Sequence, residues 1–210
     1  MKKLNLPNKL SLSRLIMVPI FMLVMFLVPS EHWIIRNALG AAIFLGTAIT
    51  DAIDGKIARK HNLITEFGKF IDPLADKFLV IFSMLMLLYL PDFGAIQPYL
   101  LWVFTLVLMR ELAVTALRLV LRGSGVVLAA DTLGKVKTVF QMIFIMTALL
   151  EPILYRVLEL LIPAIPAEVF AFLAKYPVLT LATMACTLVF TVWSGINYFA
   201  GNGKYLDPEK

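Results

Sequence analysis

The amino-acid sequence predicts an all-α integral membrane protein: one domain spanning residues 1–210, six transmembrane helices, both termini in the cytoplasm. Three observations predict it. The chain is 60% hydrophobic with a mean hydropathy of +0.88, against about 45–50% apolar content in soluble domains. Its apolar residues gather into runs close to the ~20 residues that a bilayer core demands of a helix. Its basic residues crowd to one side of those runs.

Taken in order, the spans fall near residues 10–28, 33–51, 71–90, 98–120, 136–154 and 178–199. The basic opening "MKKLNLPNKLSLSRL" resembles a secretory signal, but the apolar run behind it is long and no small-residue cleavage site follows, so a retained first span is expected. The second helix is expected to continue past Asp51, and the third to begin before its apolar part. On the second, Ala38, Ala42, Gly46 and Thr50 repeat every four residues, the pattern of a close helix-packing face. Between the fifth and sixth spans, "RVLELLIPAIPAEVFAFLAKYP" is half polar and punctuated by Pro163 and Pro166, which suits an interfacial amphipathic piece. Cys186 is the single cysteine and reads as helix packing.

Of the 19 Lys and Arg, all but Arg36, Arg156 and Lys175 fall on one side of this arrangement. The positive-inside rule makes that side cytoplasmic. The net charge of +5 therefore describes one face, suited to anionic lipid headgroups and phosphorylated substrates. Nucleic acid is a poor partner for charges tied to span ends.

The stretch "TDAIDGKIARKHNLITEFGKFIDPLADK" then sets four carboxylates where lipid begins. The apolar run over 78–90 makes only about 20 Å of helix at ~1.5 Å per residue, short of a hydrocarbon core of about 30 Å. Asp76 and Asp72 are therefore expected below the membrane surface, where carboxylates by default face a bundle interior or cavity and serve function. Asp51 and Asp54 are three apart and Asp72 and Asp76 four apart, so each pair shares a helix face. Two divalent cations would neutralise the four charges, and oxygen-only ligands favour Mg²⁺ or Mn²⁺ over zinc. His61 and His32 read as ordinary surface residues, and Pro73 as a kink beside Asp72. Gly55 lets a ligand approach closely, Arg59 offers a fork for phosphate, and Gly68 with Ala58 thins the wall of a narrow site. Matching the aspartates to Lys56, Arg59, Lys69 and Lys77 as structural ion pairs is the bland alternative.

A second basic cluster lies in segment 110–137. Arg110 and Arg118 are eight residues apart on nearly one helix face, and Lys135 and Lys137 open the fifth span. Such a pocket suits an acceptor that carries its own phosphate. Positive-inside anchoring accounts for Arg122, but less well for Arg110, which lies within the helix beside Glu111. Thr138 and Gln141 could offer hydrogen bonds or pack, and Asp131 reads as a helix N-cap.

Asp51-x2-Asp54-Gly55-x2-Ala58-Arg59-x8-Gly68-x3-Asp72-x3-Asp76 resembles the signature of the CDP-alcohol phosphotransferase family at every fixed position. The resemblance implies a six-helix bundle that forms homodimers, and transfer of a phosphatidyl group from CDP-diacylglycerol to an alcohol with release of CMP. It implies that Asp51, Asp54, Asp72 and Asp76 hold two metals, that Asp76 is also the base, and that Gly55, Arg59 and Gly68 receive the CDP portion. "NLPNKLSLSRL", the Arg-Glu…Leu-Arg segment and "GKVKTVFQ" resemble the branch whose acceptor is glycerol 3-phosphate, with Arg110, Arg118, Lys135 and Lys137 as its phosphate ligands. Cardiolipin-type and inositol-phosphate-type acceptors stay open within the family. A scaffold without activity is disfavoured by the intact aspartate set. A divalent-cation transporter is disfavoured because helices 1, 5 and 6 show no polar pathway. A multi-pass protein of a bacterial inner membrane, its site facing the cytoplasm, is the expected setting.

Overall fold

The computed structural model describes residues 6–60, 66–90, 93–123 and 132–202, with the side chains of 6, 7, 10, 51–60, 66–70, 72, 73, 76, 94, 122 and 123 outside the description. The described residues form helices and no strand. In order they are α1 (Leu6–Leu27), α2 (Trp33–Lys60), α3 (Glu66–Tyr89), α4 (Gln97–Gly123), α5 (Thr132–Leu161), α6 (Ala167–Lys175) and α7 (Val178–Asn202). Short 3-10 turns at Ser30–His32 and Gly94–Ile96 lead into α2 and α4. Four stretches are long and apolar enough to cross a membrane: Ser30–Thr50, Gln97–Leu121, Thr132–Leu161 and Ala167–Asn202. The apolar parts of α1 and α3, Ser11–Leu27 and Lys77–Tyr89, are shorter. α6 occupies the proline-punctuated segment and buries only Phe170.

α5 packs most extensively on α7, and α1 lies against both α2 and α3. Their shared core gathers Phe21 and Met25 of α1, Phe44 of α2, Leu87 of α3, Val107 of α4 and Ile145 and Leu149 of α5. Exposed Leu, Ile, Phe and Trp side chains cover the outside, the inverse of a water-soluble bundle and what a lipid solvent requires.

Within the chain, α2 does not pack through its expected face. Ala38, Ala42 and Gly46 are exposed, and nothing lies within 4 Å of where a Gly46 Cβ would stand. The helix instead buries Asn37, Gly40, Ala41, Phe44 and Thr47. The reason is Met25 of α1, whose sulfur would come within 2.6 Å of a Cβ at Gly40, so that α1 closes on Gly40.

The seam between α5 and α7 is polar, against the expectation that the fifth and last spans carry no buried polar path. α5 buries the row Lys137, Gln141, Phe144, Ala148 and Glu151, with Ile145 and Leu149 beside it, and α7 buries Thr180, Met184, Thr187, Thr191, Ser194 and Tyr198. Both rows step by alternating fours and threes, the spacing of two helices held along a common seam. Hydroxyls tie them: Thr147 and Thr183 meet at 2.8 Å, and Thr187 donates to the Phe140 carbonyl at 3.1 Å.

Candidate active site

α2 runs to Lys60 and α3 begins at Glu66, so Asp51 and Asp54 lie on one helix and Asp72 and Asp76 on the next. The side chains of these four, and of Gly55, Arg59 and Gly68, are outside the described residues, as are His61 and Asp131. What is described is the floor beside them. Ile71, Ala75 and Leu79 are buried. Val80, one turn after Asp76, lines a recess with Lys77, Ile81, Glu111, Lys137, Thr138 and Gln141. At about 20 Å³ it has room for a single water.

Residues of α3, α4 and α5 meet at this recess, Lys137 of the second basic cluster among them. Glu111 of α4 pairs with Lys137 of α5, both largely buried, and its carboxylate stands 3.8 Å from the Arg110 guanidinium. Arg110 lies in a slot between α5 and α7 that two glycines leave open. A Cβ at Gly134 would stand 3.4 Å from Arg110 Nη2, and one at Gly195 would stand 3.4 Å from Arg110 Cγ.

Arg118, two turns further along α4, donates from Nε to the Tyr198 hydroxyl at 2.9 Å, and its guanidinium carbon is 5.2 Å from the centre of that ring. Tyr198 is buried with Val114, Leu117 and Leu121. With Nε engaged, the terminal edge of the guanidinium is the part presented for bidentate anion binding.

Lys135 and Lys137 part company. Two residues on a helix are separated by about 200°, and Lys135 is exposed while Lys137 is buried. Thr138 donates to the Gly134 carbonyl of its own helix, a packing role. Gln141 Nε2 is buried with no hydrogen-bond partner among the described residues.

Sequence reasoning passed over Glu111 as a ligand of the cations, Tyr198 as the partner of Arg118, and Arg14. Arg14 reads as an anchoring charge, yet it is 2% exposed beside buried Asn8 and Ser11. A charge set among apolar neighbours in α1 was its only signal.

Among the described residues no group of three or more His, Cys, Asp or Glu converges as a metal site. The donor chemistry that could do so is the aspartate set, oxygen ligands from two consecutive helices, and it fits a hard divalent cation. A groove of about 550 Å³ lies at the other end of the bundle, between α2, α5 and α6. It is lined by Trp33, Tyr155 and Phe170, and its Arg156 is already paired with Glu159 at 2.6 Å. Despite its size it lies far from the four carboxylates and the cation cluster.

The family model for CDP-alcohol phosphatidyltransferases matches residues 4–193. The chain belongs to the CDP-alcohol phosphatidyltransferase family. Relatives cover nearly the whole of it. A Bacillus subtilis protein named CDP-diacylglycerol–glycerol-3-phosphate 3-phosphatidyltransferase is 39% identical over 210 residues, covering 96% of this chain and 97% of its own length. A Mycobacterium tuberculosis protein named probable phosphatidylglycerophosphate synthase is 36% identical, covering 93% of this chain and 80% of its own. A Rickettsia bellii protein with the same name as the Bacillus one is 41% identical over 138 residues, 66% of this chain and 71% of its own. The chain carries its four aspartates on α2 and α3, and the Glu111–Lys137 pair shares a recess with Val80, one turn after Asp76.

Proposed function

We propose that the chain transfers the phosphatidyl group of CDP-diacylglycerol to glycerol 3-phosphate, giving phosphatidylglycerophosphate and CMP. The observation that supports this acceptor is the Glu111–Lys137 pair, with Arg110 3.8 Å from the same carboxylate, at the recess that Val80 lines one turn after Asp76; Arg118 follows two turns along α4. The names of the relatives across several bacteria support the same reaction.

In this reading Asp51, Asp54, Asp72 and Asp76 hold Mg²⁺ or Mn²⁺, which when bound would neutralise the pyrophosphate and the leaving CMP. Gly55 and Gly68 give the CDP portion room, and Arg59 pairs with its phosphates. Arg110 and Arg118 grip the acceptor's phosphate, with Lys135 at the exposed rim. Lys137, held by Glu111 inside the bundle, adds positive charge from behind. That grip points the 1-hydroxyl at the lipid-side phosphorus. Asp76 takes the hydroxyl proton as the new P–O bond forms, and the P–O bond to CMP breaks on the opposite side.

Six membrane-crossing helices, α1–α5 and α7, with cytoplasmic termini, a cytoplasm-facing site and a homodimeric assembly complete the proposal. The basic asymmetry of the chain and its family membership support it. The test is CMP release by the purified protein with CDP-diacylglycerol and Mg²⁺ or Mn²⁺, comparing glycerol 3-phosphate with phosphatidylglycerol, inositol phosphate and serine. Metal-dependent release confined to glycerol 3-phosphate is expected. Preference for another acceptor would overturn the reading of the basic pocket.

A further inference from the structure

Glu151 is a carboxylate 2% exposed within the apolar length of α5, at the end of the bundle away from the reaction. Burying such a charge is costly unless donors surround it, and three do. One oxygen accepts the Leu179 amide at 2.8 Å and the Tyr155 hydroxyl, and the other accepts the Thr180 amide at 2.6 Å. Those amides belong to the first turn of α7, whose N–H groups have no partner within their own helix and whose dipole favours negative charge. Pro177 supplies the first helical carbonyl, to Leu181 at 2.8 Å, but its side chain has no acceptor with which to cap. The cap comes from α5 instead.

This contact sits at one end of a seam whose other end is the acceptor pocket. From Thr180 to Tyr198 along α7 is ~27 Å at ~1.5 Å per residue, and between them the buried row is largely Thr and Ser. Small hydroxyl side chains make shallow knobs that define axial position weakly, so discrete polar contacts are left to fix it. At the far end, Gly195 must stand opposite Gly134 to leave the Arg110 slot, and Tyr198 must reach Arg118 Nε.

We infer that Glu151 is a positioning residue for the acceptor: by capping α7 from α5 it sets the register of the two helices, and so places Arg110 and Arg118. This rests on the reading that those arginines hold the acceptor's phosphate. Substitution at Glu151 should therefore damage acceptor binding from the far end of the bundle while leaving the CDP-diacylglycerol side intact.

The experiment uses the full chain in a Cys186→Ala background, with kinetics on purified protein. Glu151→Gln is expected to raise KM for glycerol 3-phosphate about ten-fold, equivalent to ~1.4 kcal/mol of acceptor binding, with kcat and KM for CDP-diacylglycerol within about two-fold. Tyr155→Phe, which removes one donor of three, should give a smaller rise in the same constant. Thr147→Cys with Thr183→Cys, whose hydroxyls already touch, allows a disulfide that pins the register. Added to Glu151→Gln, it should return KM for glycerol 3-phosphate to near its starting value, and it keeps the test available if Glu151→Gln alone does not fold. A lowered unfolding midpoint with both KM values unchanged would make Glu151 merely structural and overturn the inference, as would failure of the disulfide to restore KM. Arg118→Ala separates the two levels. If it leaves KM for glycerol 3-phosphate unchanged, the acceptor reading fails and the inference falls with it; if it raises KM while Glu151→Gln does not, the inference alone fails.

Discussion

Tyr198→Phe isolates one hydrogen bond in the proposed acceptor pocket. The substitution removes the hydroxyl that accepts Arg118 Nε at 2.9 Å, and it keeps the ring over which the guanidinium lies at 5.2 Å. It also keeps the apolar contacts with Val114, Leu117 and Leu121, so the fold should hold. A hydrogen bond from a charged donor contributes about 1.5–3 kcal/mol. Arg118 is only half-buried, which argues for the lower end. At ~1.4 kcal/mol per decade, an oriented guanidinium that loses this tether should weaken acceptor binding by about ten-fold. The assay is CMP release across a glycerol 3-phosphate titration at saturating CDP-diacylglycerol. KM for the acceptor should rise with little change in kcat, and Tyr198→Leu, which removes the ring as well, should exceed it. An unchanged acceptor KM, or a rise confined to CDP-diacylglycerol, would refute the placement of Arg118 at the acceptor's phosphate.

Asp76→Asn should lower turnover by at least about 10²-fold, the lower range for loss of a general base, while CDP-diacylglycerol still binds in an equilibrium assay; loss of binding alone would contradict the base assignment. Chelation of divalent ions should abolish CMP release, and Mg²⁺ or Mn²⁺ should restore it; full activity in excess chelator would remove the aspartates from metal binding. Glu111→Leu should take this carboxylate from buried Lys137 at a cost of up to about 3–5 kcal/mol, read as a fall in the thermal unfolding midpoint. Adding Lys137→Met should recover most of that stability without recovering activity, and a double variant no more stable than the single one would deny that the two residues form a pair.

The parts of the fold legible in the sequence are those set by local periodicity. The apolar runs locate the long helices, and the aspartate spacing already implies that α2 outlasts its apolar part and that α3 starts early. Whatever depends on which helix lies alongside is not legible. The row Ala38, Ala42 and Gly46 has the spacing of a packing face, yet the bulk of Phe21 and Met25 turns α2 onto Gly40 and Phe44. Lys137 against Glu111, Tyr198 against Arg118, and the Leu179 and Thr180 amides against Glu151 all lie on other helices, 26, 80 and 28 residues or more away along the chain. No spacing rule within one helix reaches that far. One feature was readable and passed over: Lys135 and Lys137, two apart on a helix, cannot face the same way.

The bond between Arg118 and Tyr198 joins residues 80 apart in sequence. A ribosome adding about 5–20 residues per second takes roughly 4–16 s to cover that interval. Through that time α4 is already made, with its arginines, while the helix that holds one of them in place does not yet exist. The nascent protein therefore carries its aspartate pairs well before its basic pocket is whole, and competence to transfer arrives late in synthesis with α7.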